Sequence, residues 1–104
     1  MSNATIQSGP TLADVRGHKA DILRVAARRG VKNIRVFGSL ARGEGTASSD
    51  VDFLVEMEPR HGLFDLSGFR LDMEDLLGCR VDVATPGAID PRMRGRIYAD
   101  AQEL

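Results

Sequence analysis

Two aspartates alternate with apolar residues in the stretch DVDFLV, residues 50–55, and this pattern is typical of a half-buried β-strand. Because the side chains of a strand alternate between its two faces, Asp50 and Asp52 are predicted to project from the same face. Two carboxylates at such close range repel one another unless a cation lies between them. The sequence therefore predicts a strand that carries a divalent metal site.

A long amphipathic helix is predicted before the first strand. Thr11 and Asp14 have the spacing of a capping box, apolar residues recur at helical intervals, and Gly30 supplies a C-terminal stop. Residues 1–10 are short, polar and unpatterned, so we expect a loose leader followed by a single domain over residues 11–104. A chain of 104 residues is long enough for one core but leaves little room for a second binding lobe.

Short strands alternate with helices along the rest of the chain. Strands are predicted at residues 33–37, 50–56 and 80–84, and the first of them is apolar enough to be buried on both faces. A short helix is predicted to begin at residues 39–42, and longer helices at residues 63–77 and from residue 91. This order predicts one α/β layer system on a small sheet.

Composition and charge exclude several classes of protein. The net charge of -1 argues against a protein whose main work is coating nucleic acid, so no stable nucleic-acid binding is expected. The single cysteine, Cys79, cannot form an internal disulfide, and we expect a semi-buried side chain there rather than a reactive thiol. No signal-peptide pattern and no apolar run of about 20 residues is present, which favours a cytoplasmic protein without a membrane segment.

Three familiar loop motifs fail on the glycine-rich passage that precedes the aspartates. Gly38 and Gly43 have the spacing of a P-loop, but Glu44 stands in the lysine position, where it would repel phosphates. The dinucleotide fingerprint also fails, since Ser48 replaces its third glycine and a strand follows instead of a helix. A calcium loop is excluded because nothing after Asp52 continues the alternating oxygen ligands.

A different signature does match this passage. Gly38-Ser39, ten intervening residues, Asp50-Val51-Asp52 and a later Asp82 resemble the signature of the nucleotidyltransferase superfamily that includes DNA polymerase beta. The resemblance implies that Gly38 and Ser39 grip the phosphates of a nucleoside triphosphate. It also implies that Asp50, Asp52 and Asp82 are catalytic carboxylates that hold Mg²⁺ in a two-metal site. The implied fold is α/β (α+β), the nucleotidyltransferase fold, with a small mixed sheet of three or more strands and about four helices.

Two further residues are candidates for nucleotide or phosphate binding. Arg42 is expected either to bind a phosphate or the acceptor, or to pair with Glu44 or another nearby acid. Ser49 is expected either to cap the entry to the second strand or to be a ligand. Asp82 is a candidate to accept the proton of an incoming hydroxyl, and a solvated strand charge is the alternative for it.

Small size and the C-terminal segment LLGCRVDVATPGAIDPRMRGRI resemble the minimal nucleotidyltransferases of prokaryotes, many of which resemble the antitoxin of HEPN/MNT toxin–antitoxin modules. The implied activity is the transfer of AMP from ATP to a tyrosine of a HEPN ribonuclease partner, in a hetero-oligomer that silences the toxin. Size supports a partner independently, because a chain without a second lobe needs another molecule to present the hydroxyl. The alternatives are an enzyme acting on RNA or a small molecule, and a non-catalytic antitoxin. One candidate interface is the arginine cluster near Tyr98, with a solvated face as the alternative: Arg92, Arg94 and Arg96.

Overall fold

The computed structural model describes residues 10–45 and 50–104. Apart from Pro10, the predicted leader lies outside the described residues. The helices are α1 (Leu12–Gly17), α2 (Lys19–Arg29), α3 (Leu63–Leu77) and α4 (Pro91–Asp100), with a 3-10 turn at Pro86–Ala88. The strands are β1 (Val31–Phe37), β2 (Val51–Met57), β3 (Val81–Ala84) and β4 (Gln102–Glu103).

A four-stranded mixed sheet lies at the centre of the molecule, in the order β3-β2-β1-β4. Strand β1 is antiparallel to β2 and to β4, whereas β2 and β3 are parallel. The predicted fold class is confirmed, and β4 is an additional strand of two residues that is too short to produce a periodic pattern. Within the described ranges, no helix combines the length and the hydropathy that are needed to span a bilayer.

The first predicted helix is two helices in the structure. The capping box is present, since the Thr11 side chain accepts from the Asp14 amide and the Asp14 carboxylate accepts from the Thr11 amide. The helix is interrupted at His18, which has φ -99° and ψ 13° and follows Gly17 at the end of α1. Glycine is among the weakest helix formers, which explains why the break falls there. Helix α2 then ends as expected at Gly30, in the left-handed conformation with φ 69°.

Helices α2 and α3 pack with α1 to cover one face of the sheet, which we call the helix face. Strand β2 contributes Val51, Phe53 and Val55 to the helix face, and each of these side chains is 0% exposed. The rings of Phe53 and Phe69, on α3, meet edge to face with their centroids 6.0 Å apart. The main core is continuous across this face. It consists of Val15, Ile22, Ala26, Val31, Ile34, Val36, Leu40, Val51, Phe53, Val55, Phe69, Met73 and Val81.

The other side of the sheet, which we call the aspartate face, carries polar as well as apolar residues. Asp52 pairs in register with Phe37 on one side and with Asp82 on the other, so these three side chains share a face. Residue Leu54, also on this face, is 2% exposed and lies outside the main core. The 3-10 turn contacts β2 and α4 contacts β1, which places both against this side.

Strand β1 differs from the expectation of burial on both faces. Ile34 and Val36 are buried in the core, but Arg35 and Phe37 are only partly buried. Arg35 pairs in register with Leu54, so it belongs to the aspartate face, and its guanidinium carbon lies 5.9 Å from the centre of the Tyr98 ring on α4. A charged residue is accommodated there because α4 covers this side of the strand only in part.

Candidate functional site

Strand β1 leads directly into the site through a glycine that no other residue can replace without strain. Gly38 has φ 77°, in the left-handed region that disfavours side chains. A Cβ atom at this position would lie 2.5 Å from Oδ2 of Asp52. The backbone of Gly38 therefore lies close to the carboxylate of Asp52, and this geometry requires a residue without a side chain at position 38.

The segment after Gly38 is a series of turns and not the predicted short helix. Only one backbone bond has helical spacing, from the Arg42 amide to the Gly38 carbonyl at 3.3 Å. The Glu44 amide reaches back five residues to the Ser39 carbonyl at 2.8 Å, and Gly43 has φ 75°, so the helical conformation cannot propagate. Leu40, which is 2% exposed, anchors the turns in the main core.

Parallel pairing of β2 and β3 brings two of the three candidate carboxylates side by side. Asp52 of β2 and Asp82 of β3 are direct register partners, and their neighbours on both strands are apolar. Asp50 lies just before β2, where the amide of Val51 donates to the carbonyl of Arg80 at 3.0 Å and fixes the entry of the strand beside β3. Three carboxylates are thus gathered at one end of the sheet, next to Gly38.

The surroundings of Asp52 disfavour its ionised form. Partial burial raises the pKa of Asp52 from 3.8 to about 6, and the negative charges of Asp82 and Asp50 add to the increase. The positive charge of Arg42 acts in the opposite direction. The charges of Asp82 and Asp50 thus oppose the ionisation of Asp52, and a bound cation would offset this repulsion.

The donor set fits a hard divalent cation in its chemistry. Carboxylate oxygens are the ligands that Mg²⁺ prefers, and a bound cation would remove the repulsion that raises the pKa of Asp52. Among the described residues, no three His, Cys, Asp or Glu side chains are already arranged around one point in a way that could hold a metal ion. Asp50 and Asp82 therefore need to turn toward Asp52 for all three to act as ligands.

Arg42 is held at the edge of the site by two acids. Its Nε donates to Glu44 at 3.0 Å and its Nη1 donates to Asp100, at the end of α4, at 2.7 Å. The guanidinium is nevertheless close enough to lower the pKa of Asp52. Of the two expectations for Arg42, the structure shows the pairing with acids.

Sequence reasoning missed Asp100 as a neighbour of the site. It stands 58 positions after Arg42, and no local pattern in the sequence signals that the two residues meet. Arg80, whose Nε is 3.7 Å from Oδ1 of Asp50, was missed for the same reason. Ser49, the remaining candidate, lies outside the described residues.

The carboxylates of Asp50 and Glu74 influence the pKa of the Cys79 thiol. Burial raises the pKa of its thiol above the usual value, and the negative charges of Asp50 and Glu74 contribute to the increase. The thiol is therefore held in its protonated form, which is a poor nucleophile. This agrees with the expectation of a semi-buried, unreactive side chain.

Comparison with known proteins identifies the family. A family model described as a nucleotidyltransferase domain matches residues 20–104, which include every candidate site residue. The chain belongs to the nucleotidyltransferase family. The candidate site of this nucleotidyltransferase thus lies wholly within the matched region.

One relative and two solved structures show how similar this chain is to individual proteins. A protein of Methanocaldococcus jannaschii, provisionally named a protein adenylyltransferase, is 37% identical over 86 residues, which are 83% of this chain and 92% of the relative. A solved structure, provisionally described as a minimal nucleotidyltransferase, has a TM-score of 0.80 and 38% identity over 91% of this chain and 97% of its own. A toxin–antitoxin structure solved with AMP-PNP shares the fold, with a TM-score of 0.68 and 15% identity over 82% of this chain and 70% of its own.

Proposed function

We propose that this nucleotidyltransferase transfers AMP from ATP to a hydroxyl of a partner protein, in a reaction that depends on Mg²⁺. The acceptor that we propose is a tyrosine of a HEPN ribonuclease toxin, so that the chain acts as an antitoxin by adenylylation. The observation that carries the proposal is the register pair of Asp52 and Asp82 beside the side-chain-free backbone of Gly38. This arrangement brings Asp52 and Asp82 beside the Gly38-Ser39 segment, which we propose to bind the phosphates.

The comparisons support two specific parts of this proposal, the transferred group and the kind of acceptor. The M. jannaschii relative, which is matched over most of its length, is provisionally named a protein adenylyltransferase. The toxin–antitoxin structure that shares the fold contains an ATP analogue. Together these names favour AMP as the transferred group and a protein as the acceptor.

In the proposed reaction, the hydroxyl oxygen of the acceptor forms a bond to the α-phosphorus of ATP. The bond from this phosphorus to the oxygen that bridges to the β-phosphate breaks, and pyrophosphate leaves with the electron pair. Gly38 and Ser39 would bind the phosphates through backbone N–H groups and the serine hydroxyl. Asp82, exposed on the strand beside Asp52, would accept the proton that the hydroxyl loses.

Asp50, Asp52 and Asp82 would hold Mg²⁺, which supplies positive charge against the triphosphate and the leaving group. The chain's own contribution is to gather the three carboxylates at one end of the sheet. Arg42, already beside Asp52, would add a second positive charge to the phosphate end of the site.

A labelling experiment tests the proposal. The protein is incubated with Mg²⁺ and ATP labelled on the α-phosphate, with and without a HEPN ribonuclease as the candidate acceptor. We expect label on a tyrosine of that protein, and we expect Asp50→Asn and Asp52→Asn each to reduce it by about 100-fold or more. The matched control is Asp75→Asn, which changes an exposed carboxylate of α3, a helix on the opposite face of the sheet, and should leave labelling unchanged.

Three other results would contradict the proposal. Label that appears only on RNA or on a small molecule would identify a nucleotidyltransferase with a different acceptor. A stable complex without label on any component would identify a non-catalytic antitoxin that blocks its partner by binding. Label that persists in both Asp50→Asn and Asp52→Asn would show that the carboxylates are not the catalytic residues.

A further inference from the structure

Helix α4 covers part of the same sheet face as the aspartates and ends against the site. It contacts β1, its Tyr98 ring lies over Arg35, and its Asp100 binds Arg42. Through this bond, the end of α4 holds Arg42, whose positive charge acts on Asp52. A molecule bound on the outer surface of α4 would therefore lie on the same side of the sheet as the carboxylates.

This outer surface is basic and partly apolar, and we call it the α4 surface. Met93 is 50% exposed and Tyr98 is 39% exposed. Arg92 is tied to Asp90, and Arg94 donates to the carbonyl of Pro86 at 3.2 Å. The remaining arginine, Arg96, is exposed and forms no hydrogen bond or ion pair with any residue of the described ranges.

We propose that the α4 surface docks an acidic polypeptide segment of the protein that carries the acceptor hydroxyl. The inference rests on the proposed function, since the docked segment is the one that would receive AMP. Charge complementarity identifies the occupant, because Arg94 and Arg96 have no carboxylate partner among the described residues. The acids of this surface are engaged in ion pairs, Asp90 with Arg92 and Asp100 with Arg42.

A polypeptide fits this surface better than a nucleic acid does. Arginine, methionine and tyrosine are the residue types enriched at protein interfaces, and all three are exposed on α4. Nucleic-acid binding draws its strength from many phosphate contacts, whereas Arg96 alone is unengaged here.

Peptide binding measured by fluorescence anisotropy tests the proposal on the full chain at low salt. The probes are two short labelled peptides with one tyrosine each, one flanked by glutamates and a matched one flanked by glutamines. We expect the acidic peptide to bind more tightly, and Arg96→Glu to weaken its binding about fivefold. The matched control is Arg60→Glu, which reverses an exposed arginine in the turn after β2, with no ion pair in the described part of the chain.

The same peptides are then offered as acceptors with labelled ATP, so that docking and transfer are measured separately. Charge-dependent binding without label on either peptide supports the docking surface and counts against the proposed acceptor chemistry. Label on both peptides without a charge preference supports the transfer and overturns the docking surface.

Two binding results also overturn the docking surface. The first is equal binding of the acidic and neutral peptides, which includes the absence of binding by both. The second is tighter binding of a single-stranded RNA that depends on Arg96, which would assign the surface to nucleic acid. A third probe, flanked by lysines, should bind Arg96→Glu more tightly than the unmodified protein if charge alone sets the preference.

Discussion

The two faces of β2 differ although the same seven residues form both. On the helix face, Val51, Phe53 and Val55 are completely buried against helices α1, α2 and α3. On the aspartate face, Asp52 stands between an aromatic residue and a second aspartate, and only Leu54 is buried. One face thus has the composition of a core, and the other has charges that repel one another.

This difference separates the residues that stabilise the fold from those that are placed for chemistry. Burial of apolar side chains on the helix face is favourable and needs no ligand. On the aspartate face, a partly buried carboxylate with an elevated pKa is unfavourable until a cation or a proton neutralises it. We therefore expect substitutions on the first face to cost stability, and some on the second to gain it at the expense of activity.

The largest expected effect is on the helix face. Phe53→Ala removes a completely buried ring that packs edge to face on Phe69, and should lower the free energy of unfolding by about 3 to 5 kcal/mol. Chemical denaturation of the two proteins measures the difference. Phe64→Ala is the control, since Phe64 is 93% exposed and its truncation should change stability by less than about 0.5 kcal/mol. Equal losses in the two variants would contradict the distinction between the faces.

A smaller effect is expected where Gly38 and Gly43, two glycines with positive φ that follow β1, are compared. Gly38→Ala adds a side chain in the left-handed region and against Asp52, and should cost about 2 kcal/mol and reduce AMP transfer at least about tenfold. Gly43→Ala has nearly the same φ but meets no described atom within 4 Å, so it isolates the backbone cost. Stability and labelling are measured on both. If Gly43→Ala impairs transfer as much as Gly38→Ala, the contact with Asp52 is not the cause.

The smallest effect, and the one of opposite sign, is expected at Asp52. Its pKa in the folded protein is raised to about 6 from 3.8, so the folded state prefers the protonated form. The corresponding stability is fully present below about pH 4 and is lost as the pH rises through 6. Asp52→Asn, which cannot ionise, should therefore be more stable than the unmodified protein at pH 7 without metal, by about 1 kcal/mol after solvent screening.

Denaturation at pH 4 and pH 7 in the presence of a chelator measures this difference for Asp52→Asn. The advantage of the variant should be small at pH 4, where the aspartate itself is mostly protonated, and added Mg²⁺ should reduce it at pH 7 by stabilising only the unmodified protein. Asp75→Asn, at an exposed position on α3, should show neither trend. An advantage that is the same at both pH values would exclude ionisation of Asp52 as its origin.

Local features of the fold were predicted well. The capping box at Thr11, the glycine end of α2 at Gly30, the helix at residues 63–77 and the start of α4 at residue 91 all appear in the structure. Each depends on residues within a few positions of one another, where backbone conformation and sequence are directly linked. The break at His18 and the turns after Gly38 were not predicted, because a helical periodicity does not show whether each turn is completed.

By itself, the sequence determined the two-residue period that puts Asp52 and the core residues on opposite sides of β2, and the Gly38-Ser39 turn that precedes it. These follow from strand geometry and from the conformational freedom of glycine. Only the tertiary structure decided that β3 lies parallel to β2 with Asp82 in register with Asp52, and that α4 returns across the aspartate face to place Asp100 on Arg42. Such contacts join residues 30 to 58 positions apart. They are selected by the packing of whole elements, which no local pattern of residues records.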